Sequence, residues 1–329
     1  MRKRLPIILP LLAILAGSFI TRSCEDDGTA QNSIAEEQRY FDIYREANYP
    51  EAVLQPSGIY YLENSEGDGI MPGDTSWLLI NHVAYTLPDD QVYETYLENV
   101  AVDNRILDTS ALYGTYKIQN GVINEGFTEG LKNMHEGGEA TFMFTSDLGF
   151  GAKNSRVGPY RSLKYEVELL EVINDIVAYE AEKIMAYTDT IAGVQTAYDS
   201  IDNVFMYYVI DDTTDGPPVA IDSTIQVAYK GYLTDGRVFD ESKDENYYQF
   251  KVGDYTAETS PIIGWHLGLE NFKEGEKGRL IIPYPLAYGE YGKYTSKGNV
   301  SIPPYETLVF DVEVISVEPE DGIKPNPEE

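Results

Sequence analysis

Aromatic side chains in the last third of the chain are the residues with chemistry to offer, and they stand in or near a series of short sequence blocks. No serine–histidine–aspartate arrangement accompanies them, and the single cysteine, Cys24, cannot form a disulfide or a metal cluster within the chain. Such side chains can line a dry, apolar pocket, which favours one state of a bound group without a nucleophile, a metal or a cofactor. Taken singly, Phe239, Trp265 or Phe310 is typical of a hydrophobic core. The blocks are 231–242, 262–269, 278–283, 286–289 and 302–304.

The blocks resemble the FKBP family of peptidyl-prolyl isomerases from Asp222 to Ser316. The family pattern Y-x-G-x-L-x-D-G-x-x-F-D matches 229–240. The patterns V-I-x-G-W-x-x-G-L, G-x-K-x-x-L-x-I-P, A-Y-G and I-P-P-x-x-x-L-x-F then follow in order, with few departures. A lone A-Y-G or I-P-P carries no information, whereas five patterns in the right order and spacing make a specific match.

The resemblance implies an α+β fold, in which a twisted antiparallel sheet wraps around one short helix and leaves a pocket between them. Trp265 is expected at the pocket floor, and Asp240 beside the twisting amide. The Ile262 backbone N–H and the Tyr288 hydroxyl are expected to bond substrate carbonyls. The catalytic residues implied are Tyr229, Phe239, Asp240 and Tyr288, and the substrate-binding residues implied are Tyr248, Ile262, Trp265, Ile302 and Phe310.

The activity implied is cis-trans isomerisation of Xaa-Pro bonds. These bonds cross a barrier of about 18–20 kcal/mol because the C–N bond is partly double. Twisting the bond removes the resonance and leaves a less polar amide, which an aromatic, dry pocket favours over the planar, hydrated one. Two departures, Glu245 where the family often has arginine and Pro261 in place of valine, fall on the expected rim. They concern substrate preference more than basic activity.

An earlier stretch of the chain repeats the same plan, which predicts two domains of one kind. The triplet Val-Ala-Tyr occurs at 83–85 and again at 227–229, and it aligns the long strand of each copy. Alternating strands at 163–169 and 308–314 end the two copies. A helix is predicted before each copy, at 34–48 and at 174–190. The predicted apolar faces of these helices are Ile34, Tyr40, Phe41, Ile43 and Tyr44 in the first, and Val177, Ala181, Ile184 and Tyr187 in the second.

The first copy keeps apolar bulk but loses polar groups. Tyr93-Glu94 stands in the place of Phe239-Asp240, and Phe127 in the place of Trp265. Phe150 replaces Tyr288, so the hydroxyl is lost. This pattern favours a retained fold with weakened or absent catalysis, in a domain that binds partners, binds unfolded chains weakly or acts as a spacer.

The N-terminus is typical of a secretory signal, with Arg2-Lys3-Arg4 before a mostly apolar run at 5–20. Cys24 directly afterwards resembles the lipobox of bacterial lipoproteins of the Bacteroidota type, although Arg22 is unusual there; the alternative is a secreted protein with an unmodified cysteine. The acidic triplet 25–27 is similar to a surface-export signal and equally typical of a plain acidic tether. A lipid on Cys24 would hold the chain to the membrane. We therefore expect an outer-membrane lipoprotein, periplasmic or at the cell surface.

The charge of the chain excludes one class of partner. With 24 Lys+Arg against 55 Asp+Glu, the net charge is −31 over 329 residues, which repels nucleic acid at long range. The expected partners are proline-containing polypeptide clients, the membrane through the Cys24 lipid, and an envelope complex formed through the first domain. The predicted domains are a signal peptide (1–23), a tether and helix (24–50), a degenerate FKBP-like domain (51–173), a linker helix (174–200), an isomerase domain (201–318) and a disordered acidic tail (319–329).

Two functions remain open at this point. The first is a prolyl isomerase with chaperone-like help for envelope or surface proteins. The second is a non-catalytic FKBP-like scaffold lipoprotein within an envelope or surface complex.

Overall fold

A computed structural model describes residues 27–152, 156–199, 203–257 and 260–319. The predicted signal peptide, Cys24 and the predicted tail beyond Pro319 lie outside these ranges. Among the helices in the described ranges, none combines the length and the apolar character that crossing a bilayer requires.

The chain divides into two compact units. The first comprises the chain up to Thr75 together with Ile80–Ile106 and Gln119–Val172. The second comprises everything from Ile173 onward, and also Ser76–Leu79 and Leu107–Ile118. A single boundary near residue 173 therefore does not describe the chain, because two short segments from the first copy belong to the second unit.

The elements of the first copy form one sheet with three helices. The strand order is β1-β2-β6-β7-β3-β4, with β5 pairing to β3. The elements are α1 (Asp27–Asn48), β1 (Val53–Leu54), β2 (Tyr60–Ser65), β3 (Trp77–Thr86), β4 (Gln91–Thr95), α2 (Glu98–Asp103), β5 (Tyr116–Gln119), α3 (Glu125–Leu131), β6 (Glu139–Phe144) and β7 (Leu163–Ile173).

The second copy repeats this plan after α4 (Ile176–Thr188). Its main sheet has the order β11-β10-β16-β13-β9-β8, with β12 pairing to β10, and β14 and β15 form a separate hairpin. The elements are β8 (Gln195–Asp199), β9 (Val204–Asp212), β10 (Thr224–Leu233), β11 (Val238–Glu241), β12 (Tyr248–Lys251), α5 (Ile263–Leu269), β13 (Lys277–Ile282), β14 (Lys293–Tyr294), β15 (Val300–Ile302) and β16 (Leu308–Glu318). The predicted α+β class with antiparallel sheets is confirmed.

Each short central helix lies unusually close to its sheet because two glycines face the strands. A Cβ atom at Gly264 of α5 would lie 2.3 Å from Ile282, and one at Gly268 would lie 2.8 Å from Leu280. Gly126 and Gly130 of α3 meet Phe144 and Phe142 in the same way. The side chain next to the first glycine is thereby buried under the sheet, and this is where Trp265 and Phe127 lie, 3% and 1% exposed.

The helix that precedes the first copy differs from its prediction. It begins at Asp27, seven residues before the predicted start, so 28–33 is not an extended tether. Of its apolar residues only Phe41 and Tyr44 are buried, whereas Ile34, Tyr40 and Ile43 are exposed. The reason is a carboxylate on the buried face: Glu37 accepts hydrogen bonds from the hydroxyls of Ser146 (2.6 Å) and Ser162 (2.8 Å).

The buried face of α4 agrees with the prediction at Ile184 but not at Val177 or Ala181. Val177 is exposed, while Ile176, Glu180 and Ile184 are buried. Glu180 is accommodated because Lys117, itself buried, lies 2.5 Å away. The helical period alone predicts that a charged residue faces solvent, whereas here the ion pair with Lys117 allows Glu180 to be buried.

Candidate active site

A ring of aromatic side chains encloses Trp265 at the start of α5. The ring centroids of Tyr229, Phe310 and Tyr248 lie 5.1, 5.2 and 5.5 Å from that of Trp265, at interplanar angles of 79°, 87° and 72°. These edge-to-face contacts are a favoured geometry for aromatic pairs. Trp265 is therefore held rigidly at the base of the cluster by side chains from β10, β12 and β16.

Asp240 joins this cluster through Tyr229. The Tyr229 hydroxyl donates a 2.9 Å hydrogen bond to Asp240 Oδ2, because Gly231 of β10 pairs opposite Asp240 of β11. Burial raises the pKa of Tyr229 above its ordinary value, and the hydrogen bond and charge of Asp240 add to the effect. The phenol therefore remains a proton donor at neutral pH, and it fixes the carboxylate at the pocket wall.

Gly231 is needed at its position because two rings pass over it. A Cβ atom there would lie 2.7 Å from Phe239 and 2.8 Å from Phe310. The rings of Phe239 and Phe310 meet edge to face at 5.5 Å. Phe239 thus closes the side of the cluster opposite Tyr248.

Two groups near the cluster are available to bond a ligand. Ile262 is the N-cap of α5 in an extended conformation, and its backbone N–H makes no hydrogen bond to any described residue. Tyr288 is partly buried and packs against the same core. All nine residues implied by the resemblance therefore come together: Trp265, Ile302 and Phe310 are buried in one core, Tyr229, Phe239, Tyr248, Ile262 and Tyr288 pack against it, and Asp240 bonds to Tyr229.

A cleft of about 350 Å³ opens beside the cluster. Tyr229, Asp240 and Tyr248 form one wall of it. The rest of the lining was not predicted and runs from the end of β11 through the following loop into β12: Glu241, Ser242, Lys243, Asn246, Tyr247 and Gln249. Glu245, one of the two departures from the family pattern, lies in the loop between β11 and β12 that borders this cleft.

The comparison with protein families decides the affiliation of this arrangement. The family described as FKBP-type peptidyl-prolyl cis-trans isomerase matches residues 87–170 and again 216–315, which together are more than half of the chain. The chain belongs to the FKBP-type isomerase family.

Individual relatives match only in part. The macrophage infectivity potentiator of Trypanosoma cruzi is 42% identical over 99 residues, which are 30% of this chain and 45% of that protein. The isomerase FkpA of Escherichia coli K12 is 37% identical over 136 residues, 41% of this chain and 44% of that protein. The crystal structure of FkpA from Escherichia coli matches with a TM-score of 0.35 and 34% identity, over 44% of this chain and 62% of that chain. The chain thus spans under half the length of these two curated relatives.

His266, the residue directly after Trp265 in α5, is not among the predicted site residues. It is fully buried. Its Nδ1 accepts a 3.0 Å hydrogen bond from the Gly253 backbone N–H, and its Nε2 lies 3.0 Å from the Ser260 hydroxyl. His266 therefore ties the loop that leads to Ile262 onto α5. The position of His266 directly after Trp265 is the sequence feature that could have identified it as part of the site.

The register of the first FKBP copy corrects the alignment on Val-Ala-Tyr. Ala84 pairs opposite Glu94, as Gly231 pairs opposite Asp240. Counting along the strands from these pairs, His82 and not Tyr85 stands in the place of Tyr229. Aligning the two Val-Ala-Tyr triplets therefore displaces the first copy by three residues from the register that the strand pairing gives. The repeat of the triplet reflects the similar composition of the two strands.

A histidine–glutamate pair thus replaces the tyrosine–aspartate pair in the first copy. His82 Nε2 lies 3.5 Å from Glu94 Oε1, and Arg156 lies 2.8 Å from Glu94 Oε2. Burial acts to raise the pKa of Glu94, but His82 and Arg156 outweigh it and lower that pKa overall.

The centre of the first copy is occupied by hydroxyl groups. Tyr165 takes the place of Phe310, and its hydroxyl lies 2.5 Å from that of Tyr93. It also accepts a 3.0 Å hydrogen bond from Asn124 Nδ2. Tyr165 is 1% exposed and contacts Phe127 at 4.7 Å between centroids. Two hydroxyls and an amide therefore lie near the Phe127 ring in the first copy.

Proposed function

We propose that the second unit catalyses cis-trans isomerisation of Xaa-Pro bonds at the cluster around Trp265. The observation that carries the proposal is the convergence of nine residues on a single aromatic floor with one fixed carboxylate. They come from five strands, the start of α5 and the loop that contains Tyr288. Family membership supports the same reaction.

The geometry suits the chemistry of a twisted amide. The prolyl ring packs on Trp265 between Phe239, Tyr248 and Phe310, which removes water from the bond. The Ile262 N–H and the Tyr288 hydroxyl donate to flanking carbonyls and hold the chain on both sides of the proline. Asp240, fixed by Tyr229, lies beside the carbonyl that rotates, and its charge favours the state in which that dipole has turned.

The first unit serves binding rather than catalysis in this proposal. Its centre is filled by the Tyr93–Tyr165 hydroxyl pair, and the position of the Tyr288 hydroxyl is held by Phe150. A unit that keeps the fold without an open pocket is suited to holding a partner protein or an unfolded client.

We further propose that the protein acts outside the inner membrane, as a lipoprotein anchored through Cys24, on envelope or surface proteins. The basic start, apolar run and cysteine of the N-terminus support this location. The alternative, a non-catalytic scaffold lipoprotein, is favoured by the closed centre of the first unit but leaves the intact cluster of the second unit without a role.

The test is an isomerase assay on the full chain with a proline tetrapeptide, using protease coupling or NMR exchange. Phe239→Ala is expected to lower kcat/KM about tenfold or more. Phe205→Ala, on an exposed residue of β9, is the matched control and is expected to leave kcat/KM unchanged. A wild-type chain that gives no acceleration over the uncatalysed rate excludes the isomerase and leaves the scaffold.

A further inference from the structure

The segment Leu107–Ile118 lies in the first family match but belongs to the second unit. Asp108 is buried, and its Oδ2 accepts hydrogen bonds from the Thr295 hydroxyl (2.8 Å) and the Asn299 amide (3.0 Å). These hydrogen bonds from Asn299 and Thr295 lower the pKa of Asp108 below its ordinary value. The Leu112 backbone N–H donates to the Val300 carbonyl at 2.9 Å. One charged side chain and one backbone amide thus fasten this segment to the β14–β15 hairpin.

The hairpin carries two groups of the proposed active site at its base. Ile302 ends β15 and pairs with Lys293 of β14. Tyr288 precedes β14, and its carbonyl accepts from the Gly292 N–H at 3.2 Å. Fixing the tip of this hairpin therefore limits the motion of both Ile302 and Tyr288.

The same segment also contacts the opposite side of the cluster. Arg237 donates from Nη1 to the Tyr113 carbonyl at 3.3 Å and lies over the Tyr116 ring at 5.9 Å. Gly114 lies against the Arg237 side chain with φ +127°, a backbone conformation that favours glycine. Arg237 stands two residues before Phe239, at the turn into β11.

We infer that Leu107–Ile118 is a positioning element of the proline-binding site. It keeps the distance fixed between the side of the pocket that contains Tyr288 and Ile302 and the side that contains Phe239. The expected effect on activity rests on the proposed function, whereas the contacts that hold the hairpin do not depend on it. It also means that the matched region 216–315 alone does not contain the whole site.

Two measurements on the full chain test the inference. Hydrogen–deuterium exchange reports the fastening directly, and exchange in 293–302 is expected to be about tenfold faster in Asp108→Ala than in the wild type. The kcat/KM for the proline tetrapeptide is expected to fall about three- to tenfold in the same variant. Thr295→Val removes one of the two partners of Asp108, so both quantities are expected to change in the same direction but by less, and the double variant is expected to add little to Asp108→Ala.

Asp103→Ala is the matched control, because Asp103 is exposed nearby and its loss makes the same change in charge. Exchange in 293–302 that stays at the wild-type rate in both Asp108→Ala and Thr295→Val overturns the inference. Faster exchange with unchanged kcat/KM overturns the positioning role. If the wild type itself is inactive, the proposed function fails, while the exchange rates still decide whether the segment holds the hairpin.

Discussion

The hydroxyl of Tyr229 and the carboxylate of Asp240 are joined by a 2.9 Å hydrogen bond, and at the matching register of the first copy His82 faces Glu94 at 3.5 Å. In the second copy a tyrosine hydroxyl holds a carboxylate in place, and in the first copy an imidazole ring faces a carboxylate. Both copies therefore place a polar side chain opposite an acid at one position of the fold, with different chemistry.

Removing the donor of the second copy is expected to weaken catalysis. In Tyr229→Phe the carboxylate of Asp240 loses its fixed partner, so kcat/KM for a proline tetrapeptide should fall about three- to tenfold. Tyr232→Phe is the control, since Tyr232 lies on the same strand and donates a similar 3.0 Å bond to Asp311. Equal losses in the two variants would show that the effect is structural.

The buried His266 is expected to make stability depend on pH. Burial lowers the pKa of His266, and the charge of Asp254 only partly offsets this. Because the unfolded chain binds a proton that the folded chain resists, stability is complete above the ordinary histidine pKa of about 6.5 and falls as the pH drops below it, toward the lowered folded pKa. The neighbours that face the ring are Asp254, Tyr255 and Ser260.

His266→Asn isolates this contribution, because an amide oxygen can accept the Gly253 hydrogen bond but cannot gain a proton. When the pH is lowered from 7.5 to 5, the free energy of unfolding measured in urea should decrease more for the wild type than for His266→Asn. Identical losses would mean that protons bound elsewhere account for the acid sensitivity.

Lys117 is expected to be a major determinant of the stability of the second unit. Its ammonium group lies 2.5 Å from Glu180 and 2.8 Å from Glu306, with all three side chains at most 4% exposed. Lys117→Met leaves two buried carboxylates without this cation, which should cost about 3–5 kcal/mol in the free energy of unfolding. Lys277→Met breaks an exposed pair with Glu313 and should cost less than about 1 kcal/mol. Chemical unfolding at constant pH measures both.

The hydroxyl of Tyr165 is expected to stabilise the first unit without serving catalysis. Tyr165→Phe leaves the Tyr93 hydroxyl and the Asn124 amide unpaired in a buried place, at a cost of about 1–3 kcal/mol. The unfolding transition of the first unit should shift while kcat/KM stays at the wild-type value. A gain or loss of activity would instead place the first unit in the reaction.

The sequence predicted the parts of the second copy that depend on local pattern. The five blocks placed Trp265, Asp240 and their neighbours in one cluster because strand period, turn signals and the central helix are local properties. Partners distant in the sequence were not predictable in this way. From sequence alone, His266 and Glu180 are typical of surface residues. Their burial depends on Gly253 and Lys117, which only the fold brings next to them.

The register of the first copy was wrong, and the assignment of one segment to the second unit was not predicted, for related reasons. Strands alternate with a period of two and resemble one another in composition, so the repeated triplet aligned Tyr85 with Tyr229 when the pairing sets His82 there. The segment Leu107–Ile118 has no sequence signal for the Thr295 and Asn299 partners that place it in the second unit.

The carboxylate of Glu37 has a mechanical consequence for the anchor proposed at Cys24. Glu37 is the first buried side chain described in α1, and ten helical residues precede it. Those residues form a stiff spacer of about 15 Å. With a lipid at Cys24, this helical spacer would hold the buried part of the first unit off the bilayer.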